Sequence, residues 1–172
     1  VEIVIDDGRR WLSRNPGRRF DAIVMNTTWH YRGHATNLLS LDFLRITGTH
    51  LNPSGVVYYN TTGSPDVLAT GLAAFPHAVR ILNFLAIGPD PIHLDEARFR
   101  DALSRWTIDG APVLDVGTPE GKARFDEVVR LAGPTPGDAI ERRDQLARAA
   151  EAAHVVTDDN MYCEWWSKDA PR

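Results

Sequence analysis

Short apolar runs alternate with helix-like segments through the first half of this chain, and that alternation constrains the fold more than any other feature. Ala22-Ile23-Val24-Met25 is continuously apolar, as expected of a strand covered on both faces in a parallel sheet. Val56-Val57-Tyr58-Tyr59 reads as a further strand, and Val1-Glu2-Ile3-Val4-Ile5 reads as a strand that opens the chain. Between them, Arg9 to Arg14 reads as a short helix that ends before the breaker pair Pro16-Gly17. His34 to His50 reads as a longer helix, with Leu38, Leu39, Phe43 and Leu44 among its apolar positions, stopped by Asn52-Pro53-Ser54-Gly55. Ser64-Pro65-Asp66 caps another helix, with proline at its first position. Phe75 to Arg80 and Leu82 to Ile87 read as late strands, an antiparallel hairpin turning at Leu82-Asn83.

This order predicts an α/β fold built on a parallel sheet. Three such strands make half of a doubly wound, Rossmann-like sheet. Because residue 1 sits inside an apparent core strand, the chain is expected to be a fragment whose other half lies upstream. After Gly88-Pro89-Asp90-Pro91 the texture changes: Leu94 to Trp106, Pro119 to Leu131 and Asp138 to Ala153 read as helices separated by Gly/Pro-rich turns. The expected organisation is the C-terminal half of an α/β domain over 1–90 and a helical extension over 91–172.

Composition narrows the function classes. Charged residues make up 24% of the 172 and the net charge is −4; with no Lys/Arg stripe, a nucleic-acid partner is not expected. A single cysteine, Cys163, leaves no internal disulfide and fits a reducing, cytoplasmic compartment. No apolar run reaches the roughly 18 residues of a membrane span.

Candidate chemistry sits where strands end, because ligands of open α/β sheets bind outside the carboxyl ends of the strands. Asp6-Asp7-Gly8 has two readings: a carboxylate and close backbone approach for a ligand's amino group or ribose hydroxyl, or a helix N-cap. Asn26-Thr27-Thr28-Trp29-His30 combines an amide, hydroxyls, a flat apolar face and an imidazole able to move a proton near neutral pH. Asn60-Thr61-Thr62-Gly63 repeats Asn-Thr-Thr; on a neighbouring strand it would set two amides and four hydroxyls together as a polar, uncharged floor. Thr157-Asp158-Asp159-Asn160 with Glu164 is the densest acidic group, able to cap a helix, bind a cation or face a basic substrate; adding His154 matches no recognised metal spacing, so a solvated turn is expected and no metal. A P-loop, a G-x-S-x-G elbow and an H-E-x-x-H motif are absent from the sequence.

The succession Asp6-Asp7-Gly8 with Trp11-Leu12, Phe20-Asp21-Ala22-Ile23-Val24-Met25-Asn26, Asn37-Leu38-Leu39-Ser40 with Asp42-Phe43-Leu44, and Leu51-Asn52-Pro53-Ser54-Gly55-Val56 resembles the spermidine synthase (polyamine aminopropyltransferase) family. It is most similar to the divergent bacterial branch in which the domain follows membrane-spanning segments; Thr157-Asp158-Asp159-Asn160-Met161 also resembles that branch. The resemblance covers residues 1–87 well and the tail loosely. It implies the class I S-adenosylmethionine-dependent methyltransferase fold, with S-adenosylmethionine or decarboxylated S-adenosylmethionine as the bound nucleoside and substrate. It also implies an amine-type acceptor, membrane-spanning segments upstream and a homo-oligomer.

Carried over by position, the resemblance implies that Asp7 and Gly8 hold the adenine, with Asn26 and Thr27 beside the cofactor. Asn26 stands where active members carry the aspartate that deprotonates the attacking amine, and Leu39 stands where an aromatic residue is usual. Asn60 falls near a substrate-contacting glutamine; Trp29 and Thr28 replace the acid that holds a diamine. The Gly-rich turn and the ribose-binding acid of this fold lie upstream, and this chain has neither. An amide cannot take a proton, and a neutral pocket gives a dication no Coulomb attraction. Ordinary spermidine synthesis is therefore not expected. The catalytic candidates are Asn26, as an orienting group, and His30, as the base if its loop folds back; Trp29, Leu39 and Asn60 are the substrate-binding candidates. The leading expectation is aminopropyl or methyl transfer to an acceptor less basic than putrescine. The alternative is a catalytically silent nucleoside-binding or scaffolding domain of a membrane protein, and a plain methyltransferase comes third.

Overall fold

The computed structural model describes residues 2–26, 36–61, 63–132 and 140–160. The described residues of Val1–Ile92 and Glu141–Arg172 form one compact unit, and His93–Ile140 forms a second.

In the first unit, Asp7 accepts a hydrogen bond from the Arg10 amide (2.8 Å) and caps α1, Gly8–Arg14. A turn at Pro16-Gly17 leads into β1, Phe20–Met25. A short 3-10 turn, Thr36–Leu38, precedes α2, Leu41–Gly48. This helix starts later than the apolar pattern suggests, because the Ser40 hydroxyl caps it by accepting from the Phe43 amide. β2 spans Leu51–Asn60 and α3 spans Pro65–Ala74, capped by Ser64 with proline at the helix start as expected. β3, His77–Ile81, and β4, Phe84–Gly88, form the anticipated antiparallel hairpin, with Leu82 at φ 55° in its turn.

The sheet runs β1-β2-β4-β3, with β7, Ile140–Arg142, at the far edge. β1 and β2 are parallel, whereas β2 with β4 and β3 with β4 are antiparallel. The fold is therefore α/β with a mixed sheet, not the parallel sheet that the strand–helix alternation predicts. The hairpin turns the chain back before another crossover helix can form. Between Phe20 and Ala22 the β1–β2 register shifts, since Phe20 faces Leu51 and Ala22 faces Val56. The extra residues fold as a bulge in which Ser54 has φ 61° and its amide donates to Asp90 (2.8 Å). Gly55 is required there, because a Cβ would stand 2.9 Å from the carbonyl oxygens of Asn52 and Phe20.

One face of the sheet carries the core. Val57 and Tyr59 of β2 and Leu85 and Ile87 of β4 pack against Leu44 of α2 and Val67 and Leu68 of α3. Leu146 of α6, Arg143–Ala149, joins this cluster. Fully burying one such side chain contributes about 1.5–3 kcal/mol. On the other face Ala22 and Val24 are exposed, while Tyr58 stacks on Phe84 with ring centroids 5.0 Å apart.

Two expectations differ here. Residues 2–5 form no strand, and Ile3 and Ile5 are 84% and 99% exposed; among the described residues no strand lies alongside to pair with them. The region 91–172, expected as one helical extension, is divided between the two units. Asp138 to Ala153 contains a strand before its helix: Arg80 Nε donates to Glu141 Oε2 (2.6 Å), tying β7 to β3. The Arg143 guanidinium donates to the carbonyls of Phe75 and Leu72, each at 2.8 Å, satisfying the C-terminal end of α3.

The second unit packs α4, Glu96–Ser104, against α5, Pro119–Ala132, through Leu103, Phe125 and Val129. A hairpin of β5, Thr107–Ile108, and β6, Ala111–Pro112, joins them, turning at Asp109 (φ 52°) and Gly110 (φ 81°). Among the described residues, no helix is long and apolar enough to cross a membrane.

Candidate functional site

Among the described residues β1 is the edge strand of the sheet, and a cavity of about 730 Å³ lies along it. That volume falls within the roughly 300–1,000 Å³ of small-molecule sites. One wall comes from α1, where Gly8, Trp11 and Leu12 share a face because helical side chains three and four apart lie together. The floor is β1 itself, Phe20 and then Ala22 to Met25, ending at Asn26. Leu38 and Phe43 form a third side, and Glu2, Val4, Asp6 and Arg18 complete the lining. A Cβ at Gly8 would meet nothing within 4 Å, so the start of α1 is open to the cavity.

The ambiguity at Asp6-Asp7-Gly8 divides between the two aspartates. Asp7 is the N-cap, its carboxylate held by the Arg10 amide, whereas Asp6 and Gly8 line the cavity. The Asp6 carboxylate accepts from the Asp7 amide (2.8 Å) and from Arg10 Nε (3.1 Å). The Asp7 amide first and then the Arg10 charge hold it below the ordinary carboxyl value of 3.8. An ionised acceptor is thus present at the rim, one residue before the expected one.

Asn26 and Asn60 meet the expectation of side-by-side strand ends. Met25 pairs with Tyr59 in the parallel ladder, and each asparagine follows its partner residue directly. Asn26 lines the cavity. The expected floor of hydroxyls does not form at Thr61, which is buried, with its hydroxyl donating to the Asn83 carbonyl (2.9 Å) and its amide to the same oxygen (2.8 Å). Leu39, expected to contact substrate, is fully buried in the core cluster. Its apolar side chain contributes packing there. Thr27, Thr28, Trp29, His30 and Thr62 lie outside the described residues.

Asp158, expected as part of a solvated acidic turn, is paired: the Arg9 guanidinium donates to both of its oxygens. Among the described residues no group of three or more His, Cys, Asp or Glu is placed to hold a metal ion. The sequence reading missed Trp11, Phe20 and Phe43 as residues lining the cavity. The signal available for Trp11 was its spacing of three from Gly8 on a short helix.

No protein-family model matches this chain, and the search of curated proteins finds no match either.

Proposed function

We propose that the cavity along β1 takes the nucleoside of S-adenosylmethionine or its decarboxylated form. In this reading the chain is part of a spermidine-synthase-like transferase that passes an aminopropyl or methyl group to an amine-type acceptor less basic than putrescine. The observation that carries it is the convergence of Asp6, Gly8 and Trp11 with Asn26 on one largely apolar cavity that runs along a parallel strand and reaches its carboxyl end. The fit is chemical: Trp11 offers a flat face for a base, and Asp6 is an ionised acceptor for an amino or hydroxyl group. We also propose that the sheet is the second half of a doubly wound, methyltransferase-type sheet, with further strands adding at the free edge of β1. The apolar composition of β1, suited to cover on both sides, supports this.

The sulfonium supplies an electrophilic carbon. The acceptor nitrogen's lone pair forms the new bond there as the carbon–sulfur bond breaks, the thioether leaves neutral, and the product nitrogen loses one proton. Asn26 holds and orients the nucleophile through its amide carbonyl. It cannot accept the proton, which passes to solvent or to another base. The same fact supports a second reading, a silent nucleoside-binding domain of a membrane protein, because the residue at the end of β1 is an amide.

The test is calorimetric titration with 5′-methylthioadenosine, followed by assay of its release from decarboxylated S-adenosylmethionine with a panel of amines. Release of S-adenosylhomocysteine from S-adenosylmethionine covers methyl transfer. Saturable binding with turnover supports the transferase. Binding without turnover, with aminopropyl transfer gained in Asn26→Asp, supports the silent reading. Absence of nucleoside binding overturns both.

A further inference from the structure

We infer that Asp158 is a positioning residue for the cavity: one carboxylate from the far end of the chain clamps the α1 wall to the α2 wall. Arg9, next to Gly8 on α1, donates from Nη1 to Asp158 Oδ1 (2.9 Å) and from Nη2 to Asp158 Oδ2, across 149 positions of sequence. The same Oδ1 accepts from the Ser40 hydroxyl at 2.7 Å. Ser40 is the N-cap of α2, and its oxygen in turn accepts from the amide of Phe43, a wall residue. Arg9 Nη1 also donates to the Asn37 carbonyl (3.3 Å), beside Leu38, and the guanidinium stands 6.0 Å from the centre of the Phe43 ring. Among the described residues, every hydrogen bond from α1 to the 36–48 segment or to its strap runs through Arg9.

The carboxylate is itself held. The Asp158 amide donates to Asp42 Oδ2 (3.0 Å), and the fully buried Val156 exchanges bonds with two helices. Its amide donates to Thr70 Oγ1 on α3 (2.8 Å), and its carbonyl accepts from the Leu41 amide on α2 (2.8 Å). Residues 156–158 form a strap anchored on α2 and α3 whose last side chain reaches α1. None of the three lines the cavity. α1 is only seven residues long, well under the length at which a helix holds itself in water, so its placement depends on such tertiary ties. Occupancy of the cavity and docking of the strap are therefore coupled, and coupling between two sites is reciprocal.

The test rests on the nucleoside reading for its ligand only, and amide exchange read by NMR separates the two. In the ligand-free protein, Asp158→Ala should raise exchange across residues 9–14 about tenfold while β2 and β4 keep their protection. Ser40→Ala should act in the same direction, more weakly. With 5′-methylthioadenosine as probe, the amides of Val156 and Asp158 should gain protection although they do not touch the cavity. Asp158→Ala should weaken its binding about tenfold, with Arg9→Ala adding little in the double variant. A purely structural strap would show no ligand-dependent protection at Val156, and that result overturns the coupling. Unchanged α1 exchange in Asp158→Ala overturns the clamp, and so does additivity with Arg9→Ala. If Asp158→Ala does not fold, the isosteric Asp158→Asn carries the same comparison. If the wild type does not bind the probe, the nucleoside reading fails while α1 exchange still decides the clamp.

Discussion

Gly71 of α3 packs directly on the phenol of Tyr59: a Cβ at position 71 would overlap the Tyr59 hydroxyl and stand 2.7 Å from Leu85 Cδ2. Tyr59 is fully buried, its hydroxyl donating to the Val67 carbonyl at 3.4 Å, and burial pushes its pKa well above the ordinary value. Neither partner can give way without opening the core. Gly71→Ala is expected to destabilise the first unit by about 1–3 kcal/mol, as overpacking does. Urea denaturation followed by far-UV circular dichroism measures it, and an unchanged midpoint would show that the helix shifts freely.

The second unit rests on a much smaller cluster, Leu103, Phe125 and Val129. Truncating Phe125 to alanine should remove about 3–5 kcal/mol, enough to melt α4 and α5. Calorimetry should then show the transition of the first unit with the other lost. A single cooperative loss of both would contradict separate units.

Asp158 gives a pH dependence with a definite sign. Hydrogen bonding from Arg9 chiefly, and from Ser40, holds its carboxyl below the ordinary 3.8. A carboxyl depressed in the folded state adds stability that is fully present above its unfolded value and is lost as pH falls through the folded one. The advantage of wild type over Asp158→Asn should be constant from pH 7 to about 5 and shrink below about 4. Denaturation curves at each pH measure that difference, and an advantage that persists undiminished at pH 3 would assign it to something other than the charge.

At the edge that β1 forms among the described residues, Val24 is 65% exposed, and Phe20–Met25 carries neither lysine nor proline and a single charge, Asp21. An edge strand so little protected offers its unpaired backbone groups to another chain. Val24→Lys should change stability by no more than about 0.5 kcal/mol while lowering concentration-dependent association in sedimentation velocity. Equal association of both forms would place any self-contact elsewhere.

What was legible in the sequence was local. Ser64-Pro65 carries a cap and a preset φ, so α3 begins where it must. Leu82-Asn83 separates two apolar runs, and the hairpin follows. The apolar continuity of Ala22 to Met25 and the breaker at Pro16-Gly17 depend only on neighbours within a few residues. Asp109-Gly110 is an equally local turn signal: it falls between the helices expected to end at Trp106 and begin at Pro119, and there it takes the positive φ values a tight hairpin requires. The α/β class and the matching ends of β1 and β2 also followed from pattern, because adjacent parallel strands place their carboxyl ends together.

Tertiary structure decided everything that depends on what lies alongside. Val1 to Ile5 has the composition of a strand, but a strand exists only where a neighbour accepts its hydrogen bonds, and for residues 2–5 none of the described residues does. Leu39 occupies a position the family resemblance gave to substrate, yet burial against the core makes it packing. Asp7 and Asp6 are indistinguishable by composition; helix geometry turns one into a cap and leaves the other on the cavity. Asp158 read as one more solvated acid, and only the fold brings it to Arg9. Pattern along a chain reports preferences over one or two turns, whereas a site is made by groups far apart in sequence whose distances are set when the core closes.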